Sequence, residues 1–235
     1  MLDIVRSLWV SGDLSMMEQT TIRSYLKHGH EFHLYTYGNV GRIPYGTVIR
    51  DANEIIPEKD LFLVRGGYST FSDFFRWKLI LDEGGIWSDT DAVCLASYDF
   101  PEIMFMGGHG PVGSDDCVSS GVFRLPKGHE TAAWAWSECQ RMDIQTMPWG
   151  EPGPPLFTRA VEKFQLTNYI LPGKMFFPIF WTAAPQIFLD PAGFKLPEDI
   201  YSVHFFNELW RLAGVDKNAV FPETCLYEQL KARFA

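Results

Sequence analysis

Apolar positions recur along this chain with two periods, and the two alternate through the first hundred residues. Ile4–Val10 is an apolar run of strand length that ends at Ser11-Gly12. Leu14–Lys27 places Leu14, Met17, Ile22, Tyr25 and Leu26 on one helix face, and His28-Gly29 stops it. Glu31–Tyr37 alternates Phe32, Leu34 and Thr36 against His33, Tyr35 and Tyr37, which predicts a strand. Val48–Arg50 suits another short strand. Ser72–Asp82 predicts a helix closed by Glu83-Gly84-Gly85, and Ile86–Leu95 a further strand. Such alternation predicts an α/β fold built on parallel strands.

Beyond residue 100 the pattern loosens. Ile103–Met106 and Val118–Leu125 read as strands, and His129–Arg141 as a helix rich in Ala and Trp. From Met147 to Pro155, four prolines and two glycines interrupt regular structure before Leu156–Phe164 resumes helical spacing. The last third carries Pro172, Pro178, Pro185, Pro191 and Pro197, with a strand expected at Tyr201–Phe205 and a closing helix at Glu223–Phe234. Long proline-punctuated connections often form binding loops. No repeat, low-complexity tract or long linker divides the 235 residues, so one domain is expected over 1–235.

Composition changes this picture in a few respects. With 46% apolar and 21% charged residues the chain is globular rather than disordered. Its 29 acidic against 20 basic residues give a net charge of −9, which argues against a broad nucleic-acid-binding face. One small phosphorylated ligand stays compatible, provided a cation or a few Arg residues screen it. The 15% aromatic content fills the core first and supplies stacking surfaces second. Cys94, Cys117, Cys139 and Cys225 form no C-x-x-C pair and read as reduced thiols. Met1–Arg6 shows no signal-peptide pattern, and no run approaches the roughly 18 apolar residues of a membrane span. These features predict a cytoplasmic protein.

Candidate chemistry concentrates between Phe71 and Asp91. A helix ends at Gly84-Gly85 and feeds an apolar strand that finishes in Asp89-Thr90-Asp91. Residues i and i+2 of an extended chain point to the same side, so both carboxylates can converge on one cation. A buried pair of like charges is costly unless neutralised, and hard oxygen ligands suit Mg²⁺ or Mn²⁺. Taken alone, Asp-x-Asp is a common solvated turn. Here Asp73 and Arg76 lie three apart on the preceding helix and share one face. A metal-dependent phosphohydrolase or nucleotidyltransferase would gather further acidic or Lys residues, and Ala92-Val93-Cys94-Leu95 offers none. Glycosidase carboxylates normally come from separate strands. A non-catalytic sugar-binding module would need aromatics but not Asp-x-Asp.

Ser72-Asp73-x-x-Arg76, Gly84-Gly85-Ile86-Trp87 and Asp89-x-Asp91 resemble, at matching spacing, the Asp-x-Asp sugar-binding glycosyltransferases of family 32. These are relatives of capsular polysaccharide and α-mannosyl- and α-galactosyltransferases, and more distantly of clostridial glucosylating toxins. The resemblance implies a GT-A fold, a Rossmann-like mixed sheet flanked by helices. Residues 1–110 would form the donor part and 111–235 the acceptor-side and closing part. It also implies a retaining enzyme that uses Mn²⁺ or Mg²⁺ to move a hexose from a nucleotide sugar, UDP-hexose by family, to a saccharide or glycolipid acceptor. Nucleic acid and a transmembrane segment are not implied; peripheral membrane association is left open.

By the same resemblance, Trp9 stacks on the base beside Val10, with Tyr37 near it at the end of the second strand. Asp73 and Arg76 orient sugar hydroxyls and the β-phosphate, and count with Asp89 and Asp91 as catalytic. Gly85, Ser120, Glu151 and Asn207 complete the donor-binding set; Ser119 or Ser120 stands where Asn is frequent. Gly121–His129 resembles the family's next strand and turn. Val203-His204-Phe205-Phe206-Asn207 resembles a segment whose His completes the metal sphere, making His204 a third ligand, with Phe206 in place of the usual Trp. Gly153-Pro154-x-x-x-Thr158 matches a Gly-Pro helix start, and prolines there are expected to leave backbone N–H groups for an anionic or hydroxyl-rich ligand. His30, His33, His109 and His129 have no such support.

Overall fold

A computed structural model describes residues 4–108 and 117–235; His109 lies outside the described residues. The first half alternates as expected: β1 (Val5–Trp9), α1 (Met16–Lys27), β2 (Phe32–Thr36), β3 (Val48–Asp51), α2 (Ser69–Glu83) and β4 (Gly85–Ser88). There follow β5 (Ala92–Cys94), β6 (Met104–Gly107), β7 (Val118–Leu125), α3 (Glu130–Cys139), α4 (Pro154–Lys163) and β8 (Ile170–Leu171). The chain closes with α5 (Gln186–Leu189), β9 (Ser202–His204), α6 (Asn207–Leu212) and α7 (Leu226–Arg233).

Seven strands form one sheet in the order β3-β2-β1-β4-β7-β6-β8. β3, β2, β1 and β4 run parallel, as the strand–helix alternation predicts. β7 then pairs antiparallel with both β4 and β6, so the sheet is mixed rather than parallel throughout. The architecture is α/β, a mixed sheet flanked by helices.

Local chemistry accounts for the element ends. Ser15 caps α1, accepting from Met17 N, while the Glu18 side chain accepts from Ser15 N at 2.7 Å. This Ser-x-x-Glu box starts the helix at Met16, not at Leu14. α2 ends at Gly84, whose φ of +66° is accessible to glycine at little cost. β2 is buried along its whole length, although its sequence alternates. The reason is its interior place between β1 and β3, where helices cover both faces. Trp77 of α2 stacks on Phe157 of α4 at a centroid distance of 3.9 Å, fixing these two helices against the sheet.

One sequence expectation fails in a way that matters. Ile86–Leu95 is not one strand: β4 belongs to the large sheet, whereas β5 pairs antiparallel with β9 in a separate two-stranded ladder. The break falls at Asp89-Thr90-Asp91, where Ala92 N donates to Asp89 O at 3.1 Å and closes a turn.

Candidate functional site

The site is built where the two sheets meet. Ser88 remains paired with Val122 of β7, and Asp89 N donates to Gly121 O at 2.9 Å. The turn then hands the chain to β5, whose Ala92 lies opposite His204 of β9. Phe205 N donates to Asp91 O at 2.9 Å and fastens the ladder beside the turn. A residue 115 positions away from Asp89 is thereby placed with its Nε2 at 3.3 Å from Asp89 Oδ2 and 3.5 Å from Asp91 Oδ1. One ligand atom from each of Asp89, Asp91 and His204 lies within 4.8 Å of the others, a cluster that can hold a metal ion. The carboxylates therefore converge through a turn and a second sheet, not through extended i, i+2 geometry.

Gly121 makes room for this arrangement. A Cβ there would stand 3.1 Å from His204 Cδ2 and Nε2. A glycine inside a strand marks such close approaches, a signal present in the sequence but not used there. Asp89 is held from behind by hydroxyls: Ser88 Oγ donates to Asp89 O at 3.1 Å. Tyr25 Oη lies 2.7 Å from Ser88 Oγ and 3.1 Å from Tyr98 Oη. None of these three hydroxyls is prominent in a linear reading.

Arg76 is the cationic centre of the site. Its Nη2 lies 3.0 Å from Asp89 Oδ1 and 3.2 Å from Asp73 Oδ1. Nη1 donates to Ser120 O at 2.5 Å and Nε to Ser72 O at 3.3 Å, and the guanidinium stacks over Trp87 at 4.9 Å. Most of its five N–H groups are thus committed to the protein. Burial opposes ionisation of Asp89, yet Arg76 and His204 outweigh it and hold its pKa below the ordinary carboxylate value. Burial dominates at Asp91, whose pKa is raised. Burial likewise lifts Asp73 from 3.8 to about 7, with Arg76 opposing. Burial alone would depress His204, but Asp91 and Asp89 outweigh it and raise its pKa. Phe206 N donates to His204 Nδ1 at 3.1 Å, so when the ring is neutral its proton sits on Nε2, between the two carboxylates.

These residues form the floor of a cleft of about 360 Å³. Of the residues singled out from sequence, Trp9, Val10, Arg76, Asp89, Asp91, His204 and Asn207 line it. Others are placed elsewhere. Asp73 and Ser120 lie behind Arg76, outside the lining. Tyr37 is buried in the core with its hydroxyl donating to Ile56 O at 2.7 Å, so it does not reach the cleft. Gly85 occupies the opposite end of β4 from Asp89, with the Arg6 side chain against its α-carbon, and serves strand packing. Glu151 is paired with Arg159 at 2.6 Å outside the lining.

The start of α4 also differs from expectation. Pro154 and Pro155 have no N–H, Leu156 N donates to Glu151 O and Phe157 N to Gly153 O, so its first turn offers no free donor. Gly153 instead abuts Asp73: a Cβ there would approach Oδ2 to 2.9 Å. The cleft also contains Ser72 of the Ser72-Asp73-x-x-Arg76 motif, and residues not singled out from sequence, Gly66, Gly67, Ser69, Glu208 and Arg211. The Gly66-Gly67 pair ahead of a helix was the available signal.

No helix among the described residues is long and apolar enough to cross a membrane. No protein-family model matches the sequence, and no curated protein matches it. The fold is similar to a solved structure described as "PaToxG Glycosyltransferase", with a TM-score of 0.51 and 16% identity over 69% of each chain.

Proposed function

We propose that this protein is a metal-dependent glycosyltransferase that transfers a hexose, with retention, from a nucleotide sugar of the UDP-hexose class to a saccharide or glycolipid acceptor. The observation that carries this reading is the convergence of Asp89, Asp91 and His204 on the floor of a cleft whose wall includes Trp9. The likeness of fold to a structure described as a glycosyltransferase supports it. In this reading residues 1–110 serve the donor and 111–235 the acceptor and closure.

The donor set fits a divalent cation of the Mn²⁺ or Mg²⁺ type. Two carboxylates supply hard oxygens, and imidazole as third ligand favours Mn²⁺. His204 would hold such an ion through Nε2, with its single ring proton moved to Nδ1 and the Phe206 N–H turned from it. Such an ion, when bound, neutralises charge developing on a diphosphate leaving group.

The chain's own residues do the remaining work. Arg76 keeps Asp89 ionised and aimed, and Asp73 positions Arg76 from behind. Trp9 presents an indole face to the base, and Asn207 holds Asp91 Oδ2 through its backbone N–H at 2.6 Å. A mass-spectrometric screen of nucleotide sugars for Mn²⁺-dependent hydrolysis tests the reading and names the donor. Hydrolysis of one donor class by the wild type, lost in Asp91→Asn with its melting behaviour retained, is expected. Absence of any metal-dependent hydrolysis across the panel contradicts it.

A further inference from the structure

Lys217, in the loop after α6, has its ammonium held at three places. Nζ donates to Glu18 Oε1 at 2.5 Å and to Asn207 Oδ1 at 3.0 Å. It also lies 5.1 Å from the centroid of the Trp9 ring, at cation–π distance. Glu18 is fully buried and holds the start of α1 through Ser15 N, so the ammonium neutralises a carboxylate that solvent cannot reach. Two of the three contacts, Asn207 and Trp9, line the cleft.

The chemistry of the ammonium sets the orientation of its neighbours. It has three donors and no acceptor, so Asn207 must turn its amide oxygen toward Lys217 and its NH₂ away. Among the described residues that Nδ2 has no hydrogen-bond partner, while the Asn207 backbone N–H is committed to Asp91 Oδ2. The Trp9 indole N–H donates to Gly12 O at 2.9 Å, which fixes the ring plane that the ammonium covers. One side chain therefore governs both an aromatic face and an amide donor on the same wall.

We propose that Lys217 is a positioning residue of the cleft. It holds Trp9 and Asn207 so that the part of the indole that lines the cleft and an amide N–H donor meet a planar nucleobase of a nucleoside diphosphate that carries hydrogen-bond acceptors. The inference rests on the nucleotide-sugar reading and names residues that select its base. Lys217 acts through Trp9 and Asn207 rather than by touching the ligand.

The test compares wild type, Lys217→Arg and the double variant Glu18→Gln/Lys217→Met, with UDP and Mn²⁺ as probes. Lys217→Met alone strands a buried carboxylate and is set aside. In the double variant both charges are gone, and the amide oxygen that replaces the Glu18 carboxylate still accepts from Ser15 N. The double variant should stay folded, melting below wild type because the buried amide NH₂ at position 18 lacks an acceptor, and should bind UDP about tenfold more weakly, as expected for loss of one cation–π contact and one oriented hydrogen bond. The loss should fall on the donor KM more than on kcat, and Lys217→Arg should restore most of it. Before any ligand is added, the Asn207 side-chain amide and Trp9 indole resonances should move in the double variant's ¹H–¹⁵N spectrum. Wild-type-like UDP binding by a folded double variant, or unmoved resonances, overturns the inference. A wild type that itself binds no UDP instead overturns the nucleotide-sugar reading, and the inference falls with it.

Discussion

Replacing Asp73 with an asparagine should remove a pH dependence of stability that the buried carboxyl imposes on the fold. Burial raises this group from 3.8 to about 7, the Arg76 guanidinium at 3.2 Å offsetting only part of the cost. Between those pH values the folded protein retains a proton that the unfolded chain has released. The contribution to stability is therefore complete below about pH 4 and is lost as pH rises toward about 7. At about 1.4 kcal/mol per pKa unit, a displacement of this size corresponds to about 4 kcal/mol. The amide introduced by Asp73→Asn mimics the protonated carboxyl in shape and carries no charge, so the variant lacks this slope. Urea unfolding in chelator at half-unit pH steps from 4 to 8 measures both proteins. The other titrating groups of the site, Asp89, Asp91 and His204, are present in both and cancel in the difference to first order. The wild type should lose stability relative to Asp73→Asn across the window and be the less stable at pH 8. Parallel curves would refute the claim that Asp73 is buried against its own ionisation.

Two glycines carry further expectations. In Gly121→Ala the new methyl meets His204 Cδ2 and Nε2 at 3.1 Å and Met106 Cε at 3.2 Å, so the imidazole must yield by a few tenths of an ångström. Mn²⁺ affinity by titration calorimetry should fall about tenfold with little change in melting temperature; unchanged affinity would mean that His204 is not a ligand. In Gly153→Ala the methyl reaches 2.9 Å from Asp73 Oδ2, a contact inside the packed layer behind Arg76. Urea unfolding should show destabilisation of about 1–3 kcal/mol. A gain of stability would contradict the packing described.

The sequence made α2 and its exit legible because their signals are local. An amphipathic spacing, a Gly-Gly stop and an apolar strand all lie within Ser69–Ser88, and Asp73 and Arg76 share the helix that this reading gives them. What lay beyond it depends on contacts between distant segments. β9 falls inside the strand expected at Tyr201–Phe205, but its pairing with β5, whose register puts His204 beside Asp91, joins segments more than a hundred residues apart and leaves no local signal. Only resemblance, not pattern, singled out that histidine. Tyr37 and Gly85 were placed at the ligand by the same resemblance, but a hydroxyl bond to Ile56 O and the Arg6 side chain commit them to packing. The antiparallel insertion of β7 likewise escaped an alternation rule that describes only β1 to β4. Asp89-Thr90-Asp91 was read as extended because its flanks are strands. The hydrogen bond from Ala92 N to Asp89 O that bends it leaves no trace in composition.

In the proposed function, Asp89, Asp91 and His204 bind a divalent ion through which a nucleoside diphosphate is held in this cleft. Isothermal titration of UDP into the protein, with Mn²⁺ and again in excess chelator, tests it directly. Binding that requires Mn²⁺, and that Asp91→Asn abolishes, is the predicted result. UDP affinity that is the same with and without metal would contradict the account.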